Sequence, residues 1–195
     1  MGKKRPIIQF PAPVLRARAK EVPVKAISGK KIQTLLADMK ATLAVTPDGV
    51  GLAAPQIGES LRVFIISEEA EEIDRAENAS YERRKKEKPD EVSEKPYENR
   101  EWKYYVFINP VAKNHSRRMR DDPPEGCLSV RGRYGTVKRY EKVSVEAYNE
   151  HGKKRTWGKS RFFARVLQHE LDHLEGTLFI DKARGVVEVP KKKEL

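Results

Sequence analysis

At 195 residues the chain is long enough for one ordinary domain with a sizeable core. With 38% hydrophobic and 35% charged residues, the composition excludes both a membrane-spanning bundle and a fully disordered chain. The formal net charge of +11 suits an anionic partner such as RNA, a ribosome surface or a lipid headgroup, and equally a generally basic enzyme.

The amino terminus carries Lys3, Lys4 and Arg5 without an apolar signal core behind them, and Pro6 stands where a myristoylation motif wants Ser or Thr. A Pro-punctuated lead follows (Pro6, Pro11, Pro13, Pro23), and then Ile32, Leu35, Leu36, Met39 and Leu43 recur at helical spacing. Ser28 is read as the cap of that helix and Pro47-Asp48-Gly49 as its stop. Strands are expected at Arg62–Ser67 and Tyr104–Asn109.

Between them, Ser67–Glu101 differs in kind. It carries 13 acidic and 8 basic residues, a net charge of −5, so the remainder holds +16 of the total of +11. With almost no apolar periodicity it reads as a surface insertion, helical at most in part. After the turn-rich Asp121–Gly126, alternation at Val143, Val145 and Ala147 reads as a strand, with a turn at Glu150-His151-Gly152. Ser160–Glu175 reads as a buried helix ended by Gly176, and only a short tail follows Asp181. Successive strands with two separate helices predict an α+β fold over residues 1–195 as a single domain. The lone Cys127 excludes an internal disulfide and points to a reducing, cytoplasmic setting. No apolar run exceeds strand length, so no membrane is expected as a partner, and no DNA.

The chemistry lies in His169-Glu170-Leu171-Asp172-His173. Residues four apart share a helix face, so both imidazoles can reach one ion, while Glu170 can touch a water there without being a ligand. That is what metal-assisted hydrolysis requires: a Lewis acid and a carboxylate to take the proton. A third ligand is needed. Glu175, Asp181 and Glu188 lie downstream, and Cys127 lies upstream in Pro124-Glu125-Gly126-Cys127-Leu128-Ser129. A third segment, Gly49-Val50-Gly51-Leu52-Ala53-Ala54-Pro55-Gln56-Ile57-Gly58, is neither a dinucleotide fingerprint nor a phosphate loop. Its small residues make a tight backbone that could present Gln56 to a ligand.

Together GVGLAAPQIG, EGCLSV and QHELDHLEG closely resemble the three signature motifs of the peptide deformylases, in order. The resemblance covers most of the chain apart from the insertion and the last residues. It implies mixed, largely antiparallel strands around a central helix bearing both histidines. It also implies removal of the formyl group from the N-formylmethionine that begins new polypeptides, with N-formylmethionyl peptides and nascent chains as partners. Cys127, His169 and His173 become the ligands of one divalent ion, commonly Fe2+ in the family, with Zn2+, Ni2+ or Co2+ able to substitute. Glu170 becomes the acid/base, and the Gln56 amide and Leu128 N–H become donors to the oxyanion. Val50, Phe162 and Val166 map to the methionine pocket. Gly51, Glu125 and Gly126 are further matches, Glu125 as a group orienting a ligand.

The second motif departs from the family's usual continuation. Arg131 replaces a common Pro, and Tyr134 takes the place of an Arg that binds substrate backbone, with Arg133 one position earlier. The basic tail ending Pro190-Lys191-Lys192-Lys193 could touch a ribosome surface but is too short for a long amphipathic helix. Two other readings remain. HExxH alone permits a peptidase acting on internal bonds, which leaves EGCLSV and Gln56 without a use. The positive charge permits an RNA-binding protein on an inactive scaffold, for which no aromatic stacking motif appears.

Overall fold

The computed structural model describes residues 2–85, 103–121 and 123–189, with the side chains of 78–85 left aside. The first long helix, α1, runs Lys30–Ala44 and buries Ile32, Leu35, Leu36, Met39 and Leu43, the spacing read from the sequence. Its cap is Gly29 rather than Ser28, with no side-chain bond at that end. The chain turns there through a short 3-10 segment, Val24–Ala26, which places Ser28 one residue outside the cap position.

Three short segments then carry the first motif and the strand after it. β1 is Gly51–Ala53, a 3-10 turn covers Ala54–Ile57, and β2 is Val63–Ser67. Every residue of β2 is buried, because both faces of its sheet are covered. Alternation sorts them: Val63 and Ile65 pack with α1, while Phe64 and Ile66 pack on the opposite face.

The charged insertion is helical in its first half. α2 spans Glu69–Lys85 and begins inside the fold, with Ala70 fully buried and Ser67 still part of β2. Residues 86–101, the rest of the predicted insertion, lie outside the described residues.

β3 runs Tyr104–His115, six residues past the predicted end. Pro110 lacks an N–H, and the pairing register shifts between Ile108 and Val111. Asn109 takes a φ of 49° there, and its side chain pairs with both the N–H and the C=O of Val22, at 2.8 and 2.7 Å. The strand thus continues across a kink that local sequence reads as an end.

Six more strands follow: β4 Met119–Arg120, β5 Glu125–Cys127, β6 Val130–Thr136, β7 Arg139–Tyr140, β8 Lys142–Tyr148 and β9 Lys154–Ser160. The turn at Glu150–Gly152 joins β8 to β9 as expected, with Gly152 at a φ of 70°. α3 spans Arg161–Leu174, α4 Phe179–Lys182, and β10 Arg184–Glu188. β10 stands where a simple tail was expected after Asp181.

The ladders form a five-stranded sheet β1-β2-β3-β8-β9, a three-stranded sheet β10-β6-β5 and the pair β4-β7. All are antiparallel among the described residues, with one isolated parallel bridge between Lys20 and Leu61. The fold is α+β. One face of the large sheet packs on α1, the other on Phe163, Leu167 and Leu174 of α3. A third cluster, Leu15, Val130, Val137, Leu178 and Phe179, lies under the small sheet. α3 therefore sits centrally between the two sheets.

Gly176 fixes the end of that central helix. Its φ is 72°, and a Cβ there would stand 2.4 Å from the Arg16 carbonyl oxygen. The amino-terminal lead passes so close that Ala19 N–H donates to Leu174 O at 2.9 Å. Gly176→Ala should therefore lower unfolding free energy by about 2 kcal/mol or more, since left-handed strain of roughly 1–2 kcal/mol adds to a backbone clash. Urea denaturation monitored by circular dichroism measures it.

Candidate metal centre

α3 presents His169, Glu170 and His173 on adjoining faces, and the hairpin from β5 into β6 brings Cys127 against them. The ligand atoms of Cys127, His169 and His173 lie within 4.8 Å of one another. Cys127 Sγ is 3.3 Å from His173 Nε2, and the two imidazole centroids are 5.0 Å apart at 76°. The downstream carboxylates do not join them. Glu175 pairs with Arg18 and Arg62, Asp181 with Arg16, and Glu188 with Arg133.

This donor set fits a divalent transition metal: one soft thiolate and two imidazoles from different elements converge, leaving room for a fourth position. The outer nitrogen of His169 is also accounted for. Its Nδ1 faces Glu125 Oε2 at 3.1 Å, which leaves Nε2 as the ring atom available to an ion.

Glu125 is held in turn by a buried guanidinium. Arg139 Nε donates to Oε1 at 2.9 Å and Nη2 to Oε2 at 2.8 Å, with both side chains only 5% exposed. Arg139 Nη1 reaches Asp172 Oδ2 at 2.6 Å, and Lys182 closes the chain on the other Asp172 oxygen. Burial alone would raise the Glu125 pKa, but the bonds from Arg139 and His169 outweigh it and bring it down to about 2.

Glu170 has the opposite environment. It is 3% exposed, and its Oε2 has no hydrogen-bond partner among the described residues. Burial, with the Glu125 charge adding to it against the pull of His169, pushes its carboxyl up to about 7. The backbone approaches it closely at Gly51, where a Cβ would stand 2.4 Å from Oε1. A carboxylate without a partner, poised beside three convergent ligands, is suited to exchanging a proton with a bound group.

Gln56 is oriented by its own loop. Its Oε1 accepts from Ala53 N–H at 2.8 Å, which turns the amide nitrogen toward Ser129 Oγ at 3.3 Å and Cys127 Sγ at 3.6 Å. Leu128 follows Cys127 in the turn, and its carbonyl is held by Gln9 Nε2 at 3.0 Å.

These groups border a cleft of about 530 Å³. Val50, Gly51, Phe162 and Val166 line one side, with Glu125, Gly126, Cys127 and Leu128 on the β5 side. Of the site residues the family resemblance implied, His173 alone lies behind the cleft rather than on its surface.

At the mouth, Tyr134 is 45% exposed and its ring covers Gly126, where a Cβ would meet it at 2.8 Å. Arg133 also borders the cleft, but its guanidinium is bound to Glu188 on β10 at 2.6 Å. It therefore does not stand free in place of Tyr134.

Sequence reasoning passed over Arg139, Asp172 and Ser129 as site residues. The one available signal was an Arg in a strand-like segment 14 positions after Glu125. Only the fold shows that this Arg is buried.

The fold and the sequence both match known proteins. The polypeptide deformylase family model matches residues 4–188. A peptide deformylase from Thermus thermophilus is 38% identical over 178 residues, covering 91% of this chain and 81% of that protein. The chloroplastic/mitochondrial peptide deformylase 1A of Arabidopsis thaliana is 36% identical over 188 residues, and the match covers 93% of this chain but only 64% of that protein. A crystal structure of a peptide deformylase from Legionella pneumophila aligns with a TM-score of 0.67 at 35% identity, over 93% of this chain and 87% of that one. A Met-Ala-Ser-bound peptide deformylase from Acinetobacter baumannii aligns with a TM-score of 0.71 at 29% identity, over 93% and 99%. By sequence over nearly its whole length and by structure, this chain belongs to the polypeptide deformylase family.

Proposed function

We propose that this chain removes the formyl group from the N-formylmethionine of new polypeptides, releasing formate. The observation that carries the reading is Glu170: a buried carboxylate with an unpartnered oxygen beside the converging Cys127, His169 and His173. Those three residues would hold one divalent ion, with Fe2+ the favoured identity and Zn2+, Ni2+ or Co2+ as substitutes in purified protein. When bound, the ion supplies a Lewis acid that makes water nucleophilic at neutral pH and polarises the formyl carbonyl.

The remaining steps belong to side chains and backbone. Glu170 accepts the proton of the attacking water and passes it to the departing amine as the formyl C–N bond breaks. The Gln56 amide, aimed by its bond to Ala53, and the Leu128 N–H donate to the oxyanion that develops. Val50, Phe162 and Val166 receive the methionine side chain, whose unbranched thioether suits an apolar wall. Gly51 and Gly126 leave the cleft floor free for a peptide backbone. The Acinetobacter baumannii relative bound to Met-Ala-Ser, a peptide of the product class, supports placing methionyl peptides in this cleft.

Residues 1–195 are read as a single catalytic domain that works in the cytoplasm on nascent chains. No helix among the described residues is long and apolar enough to cross a membrane. Contact with the ribosome surface is supported by the positive charge of the folded body; the lysines at 191–193 lie outside the described residues.

Formate release from formyl-Met-Ala, set beside cleavage of an internal acetylated peptide, tests the assignment. Turnover of the first alone is expected, and cleavage of the second alone would favour a peptidase. Glu170→Ala should keep the ion by elemental analysis yet lose about 10²–10⁴-fold in kcat; substantial turnover would sink the role given to Glu170. Gly51→Ala should lose about 100-fold with metal content unchanged, because its Cβ displaces the Glu170 carboxylate. Glu125→Gln breaks the charged link from Arg139 to His169, and metal affinity measured by chelator competition should fall about 10–100-fold.

A further inference from the structure

The helix that carries both histidines begins in a conformation its own sequence does not support. Arg161, its first residue, has a φ of 55°. For a long L side chain that left-handed backbone costs roughly 1–2 kcal/mol. Ser160 precedes it in the cap position and makes no side-chain cap bond. The first N–H groups of any helix lack partners within the helix, so another element must supply acceptors.

The Arg161 N–H goes to the Glu141 carbonyl at 2.8 Å, and the acceptors for the next two N–H groups come from the insertion. Asp74, on α2 and 88 positions earlier, takes Phe162 N–H on Oδ1 at 2.9 Å and Phe163 N–H on Oδ2 at 3.3 Å. Arg161 lies close enough for its charge to stabilise the same carboxylate against the cost of its burial. One side chain from a separate helix thus caps α3 and spans the strained turn.

α2 is itself fastened to the fold at that point. Glu71 pairs with Lys159, the residue two before the strained turn, and Lys159 lies 4.6 Å over the Phe163 ring and 5.1 Å over that of Tyr105. The Glu71 carboxylate also faces Tyr105, and its neighbour Ala70 is fully buried. On the far side, Phe162 forms part of the cleft wall, with the Arg165 guanidinium 5.1 Å over its ring. The residue whose N–H Asp74 holds is the residue whose ring faces the cleft.

We propose that Asp74 is a positioning residue: through it the insertion helix α2 holds the strained first turn of α3, and so sets Phe162 as the wall of the side-chain pocket. The proposal rests on the deformylase reading only for the identity of what the pocket takes. Without Asp74, Arg161 relaxes toward negative φ, the first turn frays and Phe162 leaves the wall. His169 and Glu170 lie two turns further on and keep their own anchors in Glu125 and the core. The lost contact serves ground state and transition state alike, so it appears in KM rather than in kcat.

The test uses the full chain loaded with metal and three variants: Asp74→Ala, Asp74→Asn, and Asp74→Ala combined with Arg161→Gly. Asp74→Ala should raise KM for formyl-Met-Ala about 10-fold with kcat within about twofold, the scale of a lost cap. Asp74→Asn keeps an acceptor for Phe162 and should recover most of it. Arg161→Gly allows the left-handed turn without a clamp and should also restore KM. Hydrogen exchange supplies a second reading: in Asp74→Ala the Phe162 and Phe163 amides should exchange faster while 169–173 stay protected. Unchanged exchange overturns the clamp, and faster exchange with unchanged KM overturns its link to the pocket. A fall in kcat together with loss of protection at 169–173 overturns the positioning role in favour of a general structural one. If the unsubstituted enzyme releases no formate, the deformylase reading fails, and the exchange pattern still decides whether Asp74 clamps α3.

Discussion

The buried pair of Glu125 and Arg139 is the interaction on which the site's geometry depends. Glu125 lies on β5, Arg139 on β7, and the same guanidinium reaches Asp172 on α3, with Lys182 of α4 closing the chain. Four elements that share no continuous ladder are thereby tied at one point, two residues from Cys127 and one hydrogen bond from His169. Such a pair is a poor source of net stability, because desolvating two charges consumes most of their attraction. Its value here is geometric. It fixes the ring of His169 through Nδ1 and anchors the start of the strand that delivers Cys127.

Around that anchor the fold satisfies nearly every buried polar group and leaves two without a partner among the described residues, Glu170 Oε2 and His173 Nδ1. Both belong to the HELDH helix. Two neighbouring carboxylates are driven in opposite directions by their surroundings. Glu125, bound by a guanidinium, stays ionised, while Glu170, buried and facing the Glu125 charge, is raised to about 7. The first is a fixed charge, and the second is suited to exchanging a proton near neutral pH. Glycine makes this arrangement possible at Gly51, where any Cβ would strike the Glu170 carboxylate.

The insertion belongs to the same design despite its surface-like composition. Its polar sequence signalled solvent, and from Glu71 to Glu77 the α2 residues are indeed partly or fully exposed. Its first turn nevertheless enters the core at Ala70 and its second delivers Asp74 to the start of α3. Charged residues that look like a solvated face can be caps and counter-ions for another element. Composition does not distinguish these roles, because what differs is the partner.

Much of the site could be read before any fold was known. The four-residue spacing of His169 and His173 places both on one helix face whatever surrounds it, and apolar periodicity outlines α1, β2, β8 and α3. Those are local properties of a chain with fixed helical and strand periods. Other features were hidden for physical reasons. β3 passes through Pro110 because Asn109 adopts a left-handed turn tied to Val22, a contact between residues 87 positions apart. β10 exists because β6 offers it an edge, although none of its five residues is buried. The choice of Cys127 over three downstream carboxylates rests in the sequence on its motif, and in space on arginines that occupy each of the others. The sequence alone determined which side chains could do the chemistry. Tertiary structure alone decided which of them lose water and which find a counter-charge, since burial and pairing depend on residues far apart in the chain.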